Sequence, residues 1–160
     1  MRAVHALAAL LALALVAGGC GDPELRRQRL VEYSFLDSTA VYLQRLRAMD
    51  QEIGQAVLAD TVNSVDIVPL ISARFRPTVA DLRTRVGAVA TTERLVPVRD
   101  LFVQYLSLRL EAYDAAIAGL AEDRPELYDV FSRQQAEADR LGRALGQQIR
   151  EVRTQVPGYR

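Results

Sequence analysis

Apolar side chains in this chain recur three and four positions apart through four long stretches, and no window of five or more residues alternates apolar and polar. An α-helix buries one face with that spacing, and a half-buried strand cannot use it. The first stretch carries Leu36, Ala40, Leu43, Leu46, Ile53 and Val57, with no Pro after Pro23 and only Gly54 before Asp60. Asp22-Pro23-Glu24 is its start signal: a capping carboxylate, a Pro at the first helical position and an acid at the positive end of the dipole. At 1.5 Å per residue this helix would reach about 55 Å.

Asn63-Ser64-Val65-Asp66 opens the second stretch, on which Ile67, Ile71, Phe75, Thr78, Leu82 and Val89 mark one face. Pro69 is tolerable near the start, whereas Pro77 predicts a kink or break. Gly87 to Thr92 is the expected turn. The third stretch opens near Pro97-Val98-Arg99-Asp100 and carries Leu101, Phe102, Tyr105, Leu108, Ala112, Tyr113, Ala116, Ile117 and Leu120. Asp123-Arg124-Pro125-Glu126 reads as the cap of the fourth, a variant of the capping box. Leu127, Phe131, Gln134, Ala138, Leu141, Leu145, Gln148 and Val152 follow as a heptad seam, and Val156-Pro157-Gly158 ends it. The expected helices cover 24–60, 64–90 with a kink near 77, 94–121 and 124–156, with 157–160 as a tail. Four long helices joined by short turns predict an all-α fold, an antiparallel up-down four-helix bundle.

Composition bears on function mainly through what is missing. The single His is His5, the single Cys is Cys20, and there is no Trp. Twenty basic residues balance twenty acidic ones, so there is no electrostatic footprint for nucleic acid. Beyond Cys20 the chain has no group for a Ser-His-Asp or Cys-His unit, no His or Cys for zinc and no second Cys for a disulfide. No catalytic residue, metal or cofactor is expected.

The first twenty residues have their own pattern. Arg2 and the amino terminus precede an apolar run, Ala3 to Ala17, broken only by His5, which closes on Val16-Ala17-Gly18-Gly19-Cys20. The run is shorter than the roughly 20 residues a membrane span needs and ends in small residues, as export signals do. With its Cys it resembles the lipobox of bacterial lipoproteins, with Ala17 where that family more often has Leu. The resemblance implies a signal peptide over 1–19, cleavage before Cys20 and acylation of Cys20. Residues 20–23 then form a lipidated N-terminus and short linker. Acyl chains at about 0.8 kcal/mol per buried CH₂ would anchor such a protein to a membrane. The implied location is the cell envelope, on the periplasmic side of the outer membrane in a diderm organism.

Arg26, Arg27 and Arg29 follow the anchor and are candidates for anionic headgroup contact, at about 1 kcal/mol each. Glu24 and Glu32 flank them and favour a solvated face. If the helices alternate direction, Tyr159 and Arg160 would return to the same end. Other constellations read as ordinary structure. Glu111 and Asp114 lack the His a di-iron bundle site uses. Arg133, Glu137, Asp139, Arg140 and Arg143 form a laced surface of i,i+3 and i,i+4 pairs, and Gln134 and Gln148 in the seam would set register or meet a partner. Arg74, Arg76, Arg83, Arg85, Arg94 and Arg99 outnumber Asp81 and Glu93 but point several ways, with Asp81 set to pair with Arg85. Tyr42, Tyr105, Tyr113, Phe75, Phe102 and Phe131 are core candidates or the lining of a cavity.

The functional expectation is a non-enzymatic, membrane-anchored interaction or structural module. It would meet an envelope protein or a second copy of itself, and as a class it resembles the small helical lipoproteins common in bacterial envelopes. The alternative is a small-ligand-binding accessory bundle, similar in shape to the ligand-binding modules of chemoreceptors. Covalent tethering to the cell wall through a C-terminal Lys amine is not expected of a sequence that closes on Gly158-Tyr159-Arg160 and has no Lys, whereas non-covalent contact stays open.

Overall fold

The computed structural model describes residues 22–58 and 67–158. The signal-like segment, Cys20, the start signal Asn63–Asp66, Tyr159 and Arg160 lie outside the described residues, as does the side chain of Val57. Helix α1 is Pro23–Leu58. Helix α2 joins Ile67–Leu70, a wide π-turn at Ile71–Phe75 and Arg76–Ala88. Helix α3 is Val96–Ala121 after a 3₁₀ turn at Glu93–Leu95, and α4 is Glu126–Gln155. The fold is an all-α helical bundle, with no strand among the described residues.

Cross-helix hydrogen bonds give the directions. Arg74 meets Glu52, and Thr92 meets Glu32, so α2 descends as α1 rises. Arg76 on Asp114 makes α3 antiparallel to α2. Gln134 on Glu111 and Arg94 on the Gln155 carbonyl do the same for α4 and α3. The Tyr33 hydroxyl donates to the Pro157 carbonyl at 2.5 Å, which brings the end of α4 to α1. The order is up-down-up-down. Helices α3 and α4 lie closest together, α2 packs on α3, and α1 stands further from its neighbours.

Local signals hold at some ends and fail at others. Asp22 caps α1, its Oδ1 accepting the Glu24 amide at 2.9 Å. Pro77 does not break α2. The irregularity lies one turn earlier, where the Arg76 amide reaches back to the Ile71 carbonyl. A Pro at 77 donates no hydrogen bond and would press on the Ala73 carbonyl, and the widened turn before it relieves both problems. Asp123 is not the cap of α4. It takes a left-handed φ of 51°, while the Arg124 amide bonds the Gly119 carbonyl at 2.9 Å. That is a Schellman closure of α3, and Asp is among the few non-glycine residues that accept its geometry. Pro125 then flanks the start of α4 instead.

The core runs the length of the bundle, through Leu36 and Leu46 of α1, Phe75 and Leu82 of α2, Phe102, Leu106 and Tyr113 of α3, and Leu145 of α4. On α4 the expected seam drifts. Ala138, Leu141, Leu145, Ile149 and Val152 are buried, whereas Gln134 and Gln148 are half-buried. A straight helix turns about 20° per heptad against a 3.5-residue repeat, which brings Ile149 inward in place of Gln148. Leu120, expected in the stripe of α3, is 43% exposed. The first turns of α1 are little covered by the other helices. Residues 22–30 are all exposed, including Leu25 at 51% and Leu30 at 62%. The C-terminal end meets α1 at Tyr33, about 15 Å along from its start, rather than at the start itself.

Candidate functional site

Position 109 stands inside the broad apolar stripe of α3, and an Arg occupies it. Its side chain is only 1% exposed. Tyr105 and Tyr113, one turn before and one turn after, lie on the same buried face. Nη1 of Arg109 donates to the Tyr105 hydroxyl at 2.7 Å and to Asp50 Oδ2 at 3.0 Å. Nη2 donates to the Tyr113 hydroxyl at 3.0 Å and to Asp50 Oδ1. The fork of the guanidinium therefore holds both carboxylate oxygens of α1 across the bundle. Nε is buried with no hydrogen-bond partner among the described residues. Asp50 is 44% exposed, so the ion pair is dry on one side and wet on the other.

Burial works against the charge of Arg109, but the Asp50 hydrogen bond and the electrostatic attraction of Tyr113, Tyr105 and Asp50 outweigh it and keep the guanidinium protonated. Burial raises the phenol pKa of Tyr105 and Tyr113 above the ordinary value, and the nearby Arg109 offsets only part of that. A phenol that holds its proton more tightly when folded loses stability as pH climbs past the unfolded value of about 10. In a spectrophotometric titration, Tyr105 and Tyr113 are expected to ionise last, in step with alkaline unfolding. Tyr105→Phe and Tyr113→Phe should each remove one late phenol. Early titration of both would show that the cluster is not sealed.

Asp50 and Tyr105 also floor a groove of about 550 Å³ between α1 and α4. Leu43, Leu46 and Arg47 line it from α1, and Asp139, Gly142, Arg143, Gly146, Gln147 and Arg150 from α4. Its volume falls within the range of small-molecule sites. The two glycines make the space. A Cβ at Gly142 would stand 3.2 Å from the Tyr105 ring, so a side chain there would push that ring off the floor. At Gly146 the nearest atom is Arg150 Nη1, at 3.6 Å. Arg47, Arg143 and Arg150 make no ion pair among the described residues.

No family model, curated protein or solved structure matches this chain. The site therefore rests on its own chemistry.

The residues singled out from sequence fall elsewhere. Arg26, Arg27 and Arg29 are exposed on the first turns of α1. Glu32, expected as a solvated flank for them, is 3% exposed and accepts the Thr92 hydroxyl at 3.0 Å. The turn between α2 and α3 folds over it. Of the arginines between 69 and 99, Arg74, Arg76, Arg85 and Arg99 pair with Glu52, Asp114, Asp81 and Asp100, so that excess is dispersed. Glu111 and Asp114 are exposed, engaged by Gln134 and Arg76. On α4 only Glu137–Arg140 of the three expected ion pairs closes. Asp139 and Arg143 face the groove. The six aromatics do not ring one cavity. Phe75, Phe102, Tyr105 and Tyr113 are core, and Tyr42 and Phe131 are half-buried. Sequence reading missed Arg109. Its signal was present, since Tyr105, Arg109 and Tyr113 are four apart on an apolar face.

Proposed function

We propose that this chain is a lipid-anchored helical bundle of the bacterial envelope that acts by binding, without catalysis. One observation carries the reading: α1 begins at Pro23, three residues after the lipobox-like Cys20, and its first turns, residues 22–30, are exposed. An acyl chain on Cys20 would hold those turns at the membrane surface. Arg26, Arg27 and Arg29 would meet anionic headgroups, and Leu25 and Leu30 would meet the acyl boundary. No helix among the described residues is long and apolar enough to cross a membrane, so on this reading attachment falls to the lipid. The body would then be presented to an envelope protein or to a second copy. The groove between α1 and α4 favours a second reading, in which the bundle receives a small ligand.

Cells fed labelled palmitate are expected to place label on the wild-type chain and to hold it in the membrane fraction. Cys20→Ser should carry no label and leave that fraction. Label on the wild type alone, with both proteins equally membrane-bound, would refute lipid anchoring as the attachment. An unlabelled wild type would refute acylation itself.

A further inference from the structure

Charge is unevenly placed around the groove. At one end Arg47 and Arg143 stand across from each other, with Asp50 and Asp139 beside them. Both oxygens of Asp50 are already taken by Arg109 from beneath. Arg150 stands alone further along α4. Its backbone lies seven positions from Arg143, two helical turns or about 10 Å, and its guanidinium reaches back over Gly146, where Nη1 would stand 3.6 Å from an added Cβ. Between these cationic groups the wall is apolar, formed by Leu43 and Leu46. Four guanidinium groups against two carboxylates leave two positive charges unneutralised.

We propose that the α1/α4 groove binds a small organic dianion, with one anionic group between Arg47 and Arg143, the other on Arg150 where it reaches back over Gly146, and an apolar spacer over Leu43 and Leu46. The inference rests on the small-ligand reading and narrows it to one chemistry. Paired guanidinium groups suit carboxylate or phosphate oxygens. A single anion would leave one end unmatched. A cation would meet the excess positive charge. A neutral diol would gain only the apolar wall.

The test is calorimetric titration of the purified full chain with suberate, octanoate and 1,8-octanediol, which share a spacer and differ in charge. Suberate is expected to bind about tenfold more tightly than octanoate, and the diol more weakly again. Arg150→Gln should bring suberate down to the level of octanoate, and Arg143→Gln should weaken both acids. Both arginines are exposed at the rim, so helicity and Tm should hold. Gly146→Leu, filling the groove, should abolish binding of all three. Suberate binding no better than octanoate, or unchanged in Arg150→Gln, overturns the dianion. If octanoate or the diol still binds and Gly146→Leu removes it, the groove stands as a small-ligand site with other chemistry. If none of the three binds, the dianion and the small-ligand reading fall together.

Discussion

Asp50→Asn is expected to destabilise the protein by about 3 kcal/mol, and Arg109→Met by only about 1 kcal/mol. The two changes break the same ion pair, but what each leaves behind differs. Without the Asp50 charge, a guanidinium that is 1% exposed keeps its full charge in the bundle interior. Its remaining partners, one amide oxygen and two phenols, are all neutral, and its Nε already lacks one. A buried charge without compensation is among the costliest defects a single substitution can produce. Without Arg109, the carboxylate left over is 44% exposed and can be hydrated where it stands. A Met side chain fills much of the vacated volume. For a domain of this size the Asn variant should melt about 10 °C below wild type. The double variant should be more stable than Asp50→Asn alone, because the second change removes the stranded charge. Thermal unfolding of the four proteins measures this. Equal losses in the two single variants would mean that water reaches Arg109 as freely as Asp50. The cluster would then be a surface ion pair worth little.

Phe75→Ala is expected to cost about 4 kcal/mol, and Phe131→Ala about 1.5 kcal/mol. In sequence the two look alike: each is an aromatic on the apolar face of an amphipathic helix. In the bundle Phe75 is fully buried at the end of the π-turn, whereas Phe131 is half-buried on α4. Truncating Phe75 opens a cavity in the one segment of α2 whose hydrogen bonds are already irregular. The backbone there cannot relax into the space without also disturbing the accommodation of Pro77. Truncating Phe131 mostly widens a hollow already present beside Ile67, Ile71 and Tyr128. Denaturant unfolding of both variants should separate them by more than about 2 kcal/mol. A difference under about 0.5 kcal/mol would place Phe75 in a site that collapses freely.

The four helices and their alternation were legible without coordinates, because an amphipathic helix writes its burial into local spacing. Pro23, Pro77 and the turn at 89–92 mark the ends and irregularities within a few residues. Local signals went wrong where two neighbouring elements compete for one residue. Asp123 carries the chemistry of a helix cap, yet the end of α3 claims it for a left-handed closure. Heptad counting placed Gln148 inward because it assumes a 3.5-residue repeat, and the helix instead turns Ile149 to the core. Glu32 looked solvated because nothing nearby in sequence could bury a carboxylate. Thr92, sixty residues on, does so.

By itself the sequence determined the fold class and the helix count. Those properties depend on residue type and on spacing within a few turns. The tertiary structure decided which charges are buried and where the surface opens. Arg109 is tolerable in the core only because Asp50 arrives from another helix 59 residues away. Gly142 and Gly146 make a groove only because α1 stands off from α4 at their level. Partners distant in sequence set the electrostatics of a site, and no periodicity along one helix records which residues another helix will bring to it.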